Sequence, residues 1–277
     1  MLDTMTYDIR TTENAQKTLT NLTGVPFPIW EKYNRLENKY EILDELVEEV
    51  IHSYGHIPES YKDFDFIFFH ITTSAKECDS YWKYGILDLA ESYSCIDSEL
   101  RIFLDNNSIF IDLANEILEY KEKRYDISYG ICPRTDGEAY KCWSIGRKFY
   151  YDYTVCGFLS VWERNPYGGQ VHLRPEILYD IDELLGLDLS RKWMMTHEPY
   201  EIHATVKGKD IVYYGDDTES DKEKVLSYLT KAYITSFYEP NEEVVLLKNH
   251  IRVLPENIRE IKKMEHWKNF RVPFWAT

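Results

Sequence analysis

A run of nine residues, 65–73 (DFIFFHITT), constrains the fold of this chain more than any other segment. Aromatic and β-branched residues fill it, and such residues favour strands whose two faces are both covered by protein. We therefore expect a buried strand over 65–73, inside a sheet. His70, Thr72 and Thr73 close the run, which places polar side chains at the end of that strand.

The rest of the chain predicts helices and strands in no regular βαβα order, which favours the α+β class over a doubly wound sheet. A helix is expected from 220 to 232, because Ser220 and Glu223 have the spacing of a capping box. The remaining patterns predict helices at 34–53, 108–120, 176–185 and 255–261, strands at 149–162, 200–206, 209–214 and 243–247, an irregular stretch at 125–143 and a turn at 165–169. We divide the chain into a helical N-terminal segment, 1–60, and a domain, 61–277.

The charge of the chain limits its partners. Lys and Arg number 32 against 48 Asp and Glu, which gives a formal net charge of −16. Such a chain is not expected to bind a phosphate backbone over its whole surface, although a local basic cleft is compatible with it. Its five cysteines include no CxxC pair, and their odd number argues against a secreted disulfide framework.

No segment of the sequence has the pattern of a targeting or membrane-spanning element. The N-terminus (MLDTMTYDIRTTENAQ) is polar and carries acids where a signal peptide would have a basic and then an apolar stretch. No window approaches the apolar run of about 18 residues that a spanning helix needs. The sequence therefore predicts a cytoplasmic protein with no membrane partner.

Several common sites are excluded because the residues that their chemistry requires are missing. The sequence has no GxxxxGK[ST] loop, no GxGxxG after a strand, no HExxH and no GxSxG. His197 and His203 are six residues apart, and Cys132 and Cys142 are ten apart; neither pair has a usual zinc spacing. We therefore predict no metal site. With 48 acids, a pair of carboxylates by itself carries no information about glycosidase chemistry.

Two short motifs resemble the ADP-ribosyltransferase superfamily. The first is FFHITT at 68–73, followed by YGILDL at 84–89, which places Gly85 fifteen residues after His70. The second is PNEEVVLL at 240–247, followed by a proline. In the diphtheria-toxin-like branch, which includes poly(ADP-ribose) polymerases and DNA-targeting toxins, a strand ends in His-x-[Ser/Thr] and a helix leads to a Gly-[Ile/Leu] turn. The catalytic glutamate of that branch begins a later apolar strand. The resemblance covers residues 62–262 in outline.

This resemblance implies a split mixed sheet with a cleft for NAD, which would be a substrate. Cleavage of the nicotinamide–ribose bond develops an oxocarbenium-like sugar, which a carboxylate stabilises. Glu243 is similar in position to the family's catalytic glutamate, and the adjacent Glu242 competes with it, because some relatives place theirs directly after Asn. Alternation along a strand puts the two side chains on opposite faces.

The resemblance also implies roles for residues that bind NAD. His70 would bind the adenosine-side ribose, Thr72 would contribute to the nicotinamide end, and Gly85 belongs to the turn of the motif. The family's stacking aromatic is assigned to Tyr153, with Tyr151 and Tyr140 as alternatives. Arg174 is a candidate for the pyrophosphate, with Arg164 and Arg134 as alternatives.

The function predicted from the resemblance is transfer of ADP-ribose from NAD to a macromolecular acceptor, nucleic acid or protein, by a bacterial toxin or defence effector. A neutralising antitoxin is a partner that such an effector implies. One alternative is an NAD-dependent enzyme like the RNA 2′-phosphotransferases. The other is a catalytically inactive interaction module that uses the acidic helix face around Glu41, Glu45 and Glu48.

Overall fold

The computed structural model describes residues 5–35, 42–134, 136–152, 154–161, 170–213, 215, 218–238 and 240–264. The protein is α+β, as the sequence predicts, with antiparallel sheets of different sizes. The described helices are α1 (Thr12–Thr23), α2 (Phe27–Asn34), α3 (Leu43–Tyr54), α4 (Asp79–Tyr84), α5 (Leu89–Ser94), α6 (Glu99–Asn106), α7 (Glu138–Tyr150), α8 (Glu176–Leu185), α9 (Leu189–Met194) and α10 (Asp221–Phe237). The described strands are β1 (Thr6–Tyr7), β2 (Asp65–Ser74), β3 (Ile109–Asp112), β4 (Ile117–Tyr120), β5 (Lys123–Asp126), β6 (Cys156–Ser160), β7 (Glu198–Lys207), β8 (Ile211–Val212), β9 (Glu243–Leu247) and β10 (Ile258–Lys263).

The chain divides into two compact units, each made of several segments. Unit 1 comprises Met1–His70, Cys156–Asn165 and His203–Lys248, and unit 2 comprises Ile71–Val155, Pro166–Ile202 and Asn249–Thr277. The first sixty residues thus share a unit with later parts of the chain. The division into a helical segment, 1–60, and a domain, 61–277, is a different partition and stays a prediction.

The strands of unit 1 form a sheet in the order β7-β2-β6-β9-β8, with β1 pairing in parallel with β2. Antiparallel pairing sets Phe69 opposite Phe158, and Phe158 opposite Val244. Helix α10 packs on this sheet, because the Tyr228 ring lies 4.9 Å from the Phe66 ring and 5.4 Å from the Tyr7 ring. The run 65–73 is therefore the interior strand that its composition predicts.

The start of α10 is fixed by the capping box predicted from the sequence. The Ser220 side chain accepts a hydrogen bond from the Glu223 backbone N–H, and the Glu223 carboxylate accepts one from the Ser220 backbone N–H. These contacts satisfy two N–H groups that have no partner inside the helix. The helix continues to Phe237, five residues beyond its predicted end.

Replacing Ser220 by alanine should lower the free energy of unfolding by about 1 kcal/mol, the usual loss for an N-cap. Urea unfolding followed by circular dichroism measures the change. Ser220→Asp is the matched control, because an aspartate oxygen can accept the same hydrogen bond and should retain most of the stability. Equal stability of the alanine and aspartate variants would show that the cap contributes nothing.

Unit 2 has a core of its own. The antiparallel sheet β3-β4-β5 and helices α5 to α9 enclose it, and β10 runs beside the first part of β7, where the Met264 N–H donates to the Pro199 carbonyl over 3.0 Å. The core contains large apolar side chains from each of these elements, among them Tyr93, Leu104, Leu118, Ile145, Leu178 and Trp193.

The helix predicted at 108–120 is wrong, because this segment forms β3 and β4 joined by a turn. Along β3, buried and exposed residues alternate, with Ile109 fully buried and Phe110 47% exposed. The large apolar residues of 108–120 also fit the apolar stripe of a helix, so their spacing does not distinguish a helix from a strand. The turn between β3 and β4 favours strands over a helix. In it the Asp112 carboxylate accepts a hydrogen bond from the Asn115 backbone N–H, and Glu116 has a φ of 57°.

Three other boundaries also differ from the predictions. The stretch 125–143 is irregular only in its middle, over 127–134 and 136–137 of the described residues, because its two ends belong to β5 and α7. Of the strand predicted at 149–162, the described residues form β6, and residues 149 and 150 still belong to α7. The segment 255–261 is a short 3₁₀ turn followed by β10, because pairing with the exposed edge of β7 satisfies its backbone groups better than a short helix would.

The other predicted elements are confirmed in part or in full. Helix α8 spans 176–185 as predicted and ends at Gly186, and β7 and β9 contain the predicted strands. The strand predicted at 209–214 is reduced to β8. The helix predicted at 34–53 begins only at Leu43, since Asn34 ends α2; residues 36–41, like the turn at 165–169, lie outside the described residues.

Candidate functional site

His70 lies on β2 where the strand adjoins β6. Its Nδ1 is 2.7 Å from the carbonyl oxygen of Cys156, so this nitrogen carries the proton and donates, and the neutral ring has its lone pair on Nε2. Burial lowers the pKa of His70, and the hydrogen bond to Cys156 acts in the opposite direction. The structure therefore fixes the ring with Nε2 as an acceptor.

Glu243 begins β9 and is held by α10. Its carboxylate is 2.6 Å from the Lys231 ammonium, and the two side chains are 22% and 29% exposed. The carboxylate also lies near the tyrosine core of unit 1. Desolvation is the main cause that raises the pKa of Tyr7 and Tyr228, and the charge of Glu243 adds to it in both. Glu243 thus sits in a fixed place at the border between this core and solvent.

His70 and Glu243 project from the same face of one sheet. Pairing across β2, β6 and β9 aligns Phe69, Phe158 and Val244, so their side chains lie on one face of the sheet. Side chains alternate along a strand, so His70, which follows Phe69, lies on the opposite face. Glu243 is the neighbour of Val244 and faces that other side too. Two strand spacings and two residues of rise separate the α-carbons by about 12 Å. His70 and Glu243 therefore lie on one face of the sheet, on strands separated by β6.

Glu242 has a different environment from Glu243. It precedes the first residue of β9 and its side chain is exposed, whereas Glu243 is partly buried against Lys231. The preceding backbone is anchored, because the Ser160 hydroxyl donates to the Asn241 carbonyl over 2.7 Å. Of the two candidate glutamates, Glu243 is the one that shares a face with His70.

Thr72 belongs to the part of β2 that lies in unit 2. Its hydroxyl is 2.7 Å from the hydroxyl of Tyr81 on α4. Burial raises the pKa of Tyr81, so this hydroxyl stays protonated at neutral pH. The Thr72 side chain is half-buried and is oriented by this contact.

Gly85 holds a position that other residues cannot fill. It follows α4 with a φ of 82°, and a β-carbon there would lie 1.8 Å from the carbonyl oxygen of Val253. The next residue, Ile86, pairs with Val253 through hydrogen bonds of 2.9 and 3.0 Å. The glycine of the Gly-Ile motif therefore permits a close approach of two backbone segments within unit 2.

Arg174 precedes α8 in unit 2 and is only 8% exposed. Its guanidinium carbon lies 5.1 Å from the centre of the Tyr179 ring. Burial lowers the pKa of Arg174, while the charges of Glu176, Asp182 and Asp180 act in the opposite direction. The group is buried among carboxylates rather than presented on an exposed surface.

The predicted stacking residue, Tyr153, lies outside the described residues, as does Arg164. The alternatives Tyr151 and Tyr140 both lie in unit 2, where they stack on Tyr129 and Trp143 respectively. Arg134, the other alternative for the pyrophosphate, is exposed in the same unit. Unit 1 accordingly holds His70 and the two glutamates.

Unit 1 also contains a polar cluster that no sequence motif predicts. The Arg10 guanidinium donates to both oxygens of Asp8, over 2.9 and 2.7 Å, and also contacts Nδ1 of His203. The His203 ring packs 5.7 Å from Phe69, on the face opposite His70. The one local signal for this cluster in the sequence is the alternating pattern Tyr-Asp-Ile-Arg at 7–10. No local pattern indicates that Lys231 pairs with Glu243.

We expect the stability of the protein to fall as the pH is lowered from 6.5 to 4. Burial lowers the pKa of His172 to about 4, and it also lowers the pKa of His70. Below pH 6.5 the unfolded chain binds protons that the folded chain does not, so the unfolded state gains relative to the folded one until the folded pKa is reached.

His172 alone should remove about 2 kcal/mol of stability between pH 7 and pH 5. Urea unfolding at the two pH values measures this difference for the unmodified protein and for His172→Gln. The variant should show a smaller loss on acidification, whatever its stability at pH 7. An identical loss in both proteins would contradict the assignment.

Comparisons of the chain with protein-family models, with curated proteins and with solved structures found no match. Within the described parts of the chain, no three His, Cys, Asp or Glu side chains are grouped as ligands for a metal ion. The helices described here include none with the length and apolar character needed to cross a bilayer.

Proposed function

We propose that this chain is an ADP-ribosyltransferase that cleaves NAD and transfers ADP-ribose to a macromolecule, acting as a bacterial toxin or defence effector. One observation carries the proposal: His70 and Glu243 project from the same face of one sheet, from strands on either side of β6. His70 belongs to the first of the two motifs that resemble the ADP-ribosyltransferase superfamily, and Glu243 belongs to the second. His70 and Glu243 are more than 170 residues apart in the sequence, and both belong to unit 1.

His70 suits the binding of a sugar. A neutral imidazole with its lone pair on Nε2 accepts a hydrogen bond from a ribose hydroxyl without adding charge to the site. The hydrogen bond from Nδ1 to the Cys156 carbonyl holds the ring in this tautomer. We assign to His70 the ribose on the adenosine side of NAD.

Glu243 suits the reacting end of NAD. As the bond from the ribose C1′ to the nicotinamide nitrogen breaks, the electron pair leaves with nicotinamide and positive charge develops on the sugar. A carboxylate that is already oriented stabilises this charge without reorganisation. The ion pair with Lys231 provides the orientation. A nucleophilic atom of the acceptor then bonds to C1′ and loses its proton.

The proposal is tested with NAD labelled on its adenylate phosphate. The protein is incubated with this NAD and a bacterial cell extract, and portions are digested with protease, DNase or RNase. Label in macromolecules supports the transferase, and the enzyme that releases it identifies the acceptor as protein, DNA or RNA. A preparation in which no NAD is consumed and no label is incorporated would contradict the proposal.

Two variants control this experiment. The double substitution Glu242→Gln and Glu243→Gln should abolish incorporation. The matched double substitution Glu45→Gln and Glu48→Gln removes two carboxylates from α3, one of which pairs with Lys222 over 2.9 Å, and should leave incorporation unchanged. The interaction module would incorporate no label in any of these proteins, and only the Glu45 and Glu48 substitutions would impair binding of its partner. Consumption of NAD only with an added 2′-phosphorylated RNA would favour the related phosphotransferase.

A further inference from the structure

Four aromatic rings form a continuous stack on the surface of unit 2. The Tyr140 ring stacks on Trp143, Trp143 on Tyr129, and Tyr129 on Tyr151, with ring centres 5.2 to 5.8 Å apart and planes within 28° of parallel. Helix α7 and its C-cap supply three of the rings. The Trp143 indole N–H donates to the Gly130 carbonyl over 3.0 Å, which fixes the loop that carries Tyr129. We call these four residues the aromatic ladder.

The aromatic ladder is open to solvent. Tyr129 and Tyr140 are each 37% exposed, and Tyr151, at one end of the stack, is 61% exposed. The nearby Ile131 is 97% exposed. Stacked aromatic rings elsewhere in proteins are mostly packed in cores, and clustered apolar exposure marks an interaction surface. The rings at the two ends, Tyr140 and Tyr151, each stack on one other ring of the ladder, and Tyr151 is the more exposed of the two.

A cavity of about 390 Å³ adjoins the aromatic ladder. The Trp143 side chain contributes to both, and the cavity is also lined by Arg124, Asp126 and Glu138. Its volume lies in the range of small-ligand sites. Carboxylates accept hydrogen bonds from the exocyclic amino groups of bases.

The charge of this part of the chain differs from that of the whole. Residues 121–151 contain seven Lys and Arg and four Asp and Glu, a net charge of +3 in a chain of −16. Arg147 is exposed on α7 between Trp143 and Tyr151, four residues from each, so it shares their helix face. The structure shows no carboxylate within ion-pair distance of Arg147 among the residues that it describes.

We propose that the aromatic ladder and its adjoining cavity bind a single-stranded nucleic acid. Bases stack on the end rings of the ladder, Tyr151 and Tyr140, and Arg147 contacts a phosphate. Every base has an aromatic face, so stacking does not select a base sequence. The local positive charge attracts the phosphate backbone of the nucleic acid although the chain as a whole is acidic. This surface does not depend on the proposed transferase activity.

Fluorescence anisotropy of a fluorescein-labelled 15-nucleotide DNA of mixed sequence tests the proposal, with RNA of the same sequence and the DNA duplex as further arms. We expect single strands to bind and the duplex to bind much more weakly. Tyr151→Ala should weaken binding about tenfold, within the range for loss of one stacked base. Arg147→Ala should weaken binding and reduce the salt slope by about 1.

Two controls separate this surface from general effects. Phe110→Ala removes an aromatic ring of unit 2 that is 47% exposed and lies on β3, and it should bind like the unmodified protein. The Glu243→Gln variant should also bind normally, so that failure of the transferase proposal and failure of this one are distinguishable. No binding of either single strand, or equal binding by Tyr151→Ala, would overturn the proposal and direct attention to a protein partner.

Discussion

Replacing Glu243 by glutamine should lower the rate of NAD cleavage by at least 100-fold. The amide has nearly the size of the carboxylate, but it lacks the negative charge that stabilises the developing oxocarbenium sugar. Loss of one preorganised electrostatic group typically costs 10²–10³ in rate, about 3 to 4 kcal/mol in the transition state. The measurement is release of nicotinamide from NAD under saturating substrate, with the unmodified protein in parallel.

Two further variants test whether the loss of activity is specific to the Glu243 carboxylate. Glu242→Gln changes an exposed neighbour that lies outside β9, and it should keep a rate within a few-fold of the unmodified protein. Lys231→Gln leaves the carboxylate but removes its partner at 2.6 Å, and it should give an intermediate loss, because the carboxylate is present but less well oriented. A full loss in Glu242→Gln with normal cleavage by Glu243→Gln would reverse the assignment of the two glutamates.

A stable fold is required for each comparison. The ion pair of Glu243 is partly exposed, so its loss should destabilise unit 1 only modestly. Urea unfolding of the three variants should therefore give midpoints close to that of the unmodified protein. A variant that had lost both activity and stability would not bear on the chemistry of the carboxylate.

The sequence predicted best those elements whose local signals agree with each other. The run at 65–73 has both the composition and the length of an interior strand, and it is β2. Helix α8 combines an apolar stripe with a terminal glycine, and α10 combines a stripe with a capping box. In each case propensity, periodicity and a boundary residue lead to the same structure.

Features that depend on distant partners were not predicted. The ion pair of Glu243 joins residues on separate elements, and the Arg10–His203 contact joins residues 193 positions apart. The aromatic ladder depends in the same way on distant residues, because Tyr129 precedes α7 and meets Trp143 and Tyr151 only once that helix has formed. Local sequence patterns do not indicate which elements will contact each other. In the turn between β3 and β4, a few polar contacts favour strands although the apolar residues also fit the stripe of a helix.

Replacing Gly85 by alanine should have the largest effect on stability, about 3 to 5 kcal/mol. The conformation of Gly85, with a φ of 82° and ψ of −164°, is one that costs other residues about 1–3 kcal/mol. The new β-carbon would also meet the Val253 carbonyl at 1.8 Å and force apart its pairing with Ile86.

Two other glycines separate these contributions to the loss at Gly85. Gly186 has a φ of 65° with open space around its α-carbon, so alanine there should cost only about 1 kcal/mol, from the backbone alone. Gly130 has neither a positive φ nor a neighbour within 4 Å, so Gly130→Ala should be nearly neutral. The midpoints of thermal unfolding should fall in the order Gly130→Ala, Gly186→Ala, Gly85→Ala, the last by about 10 °C. Equal midpoints for Gly85→Ala and Gly186→Ala would show that the segment around Val253 yields to a side chain, and that the glycine of the motif is not required by the fold.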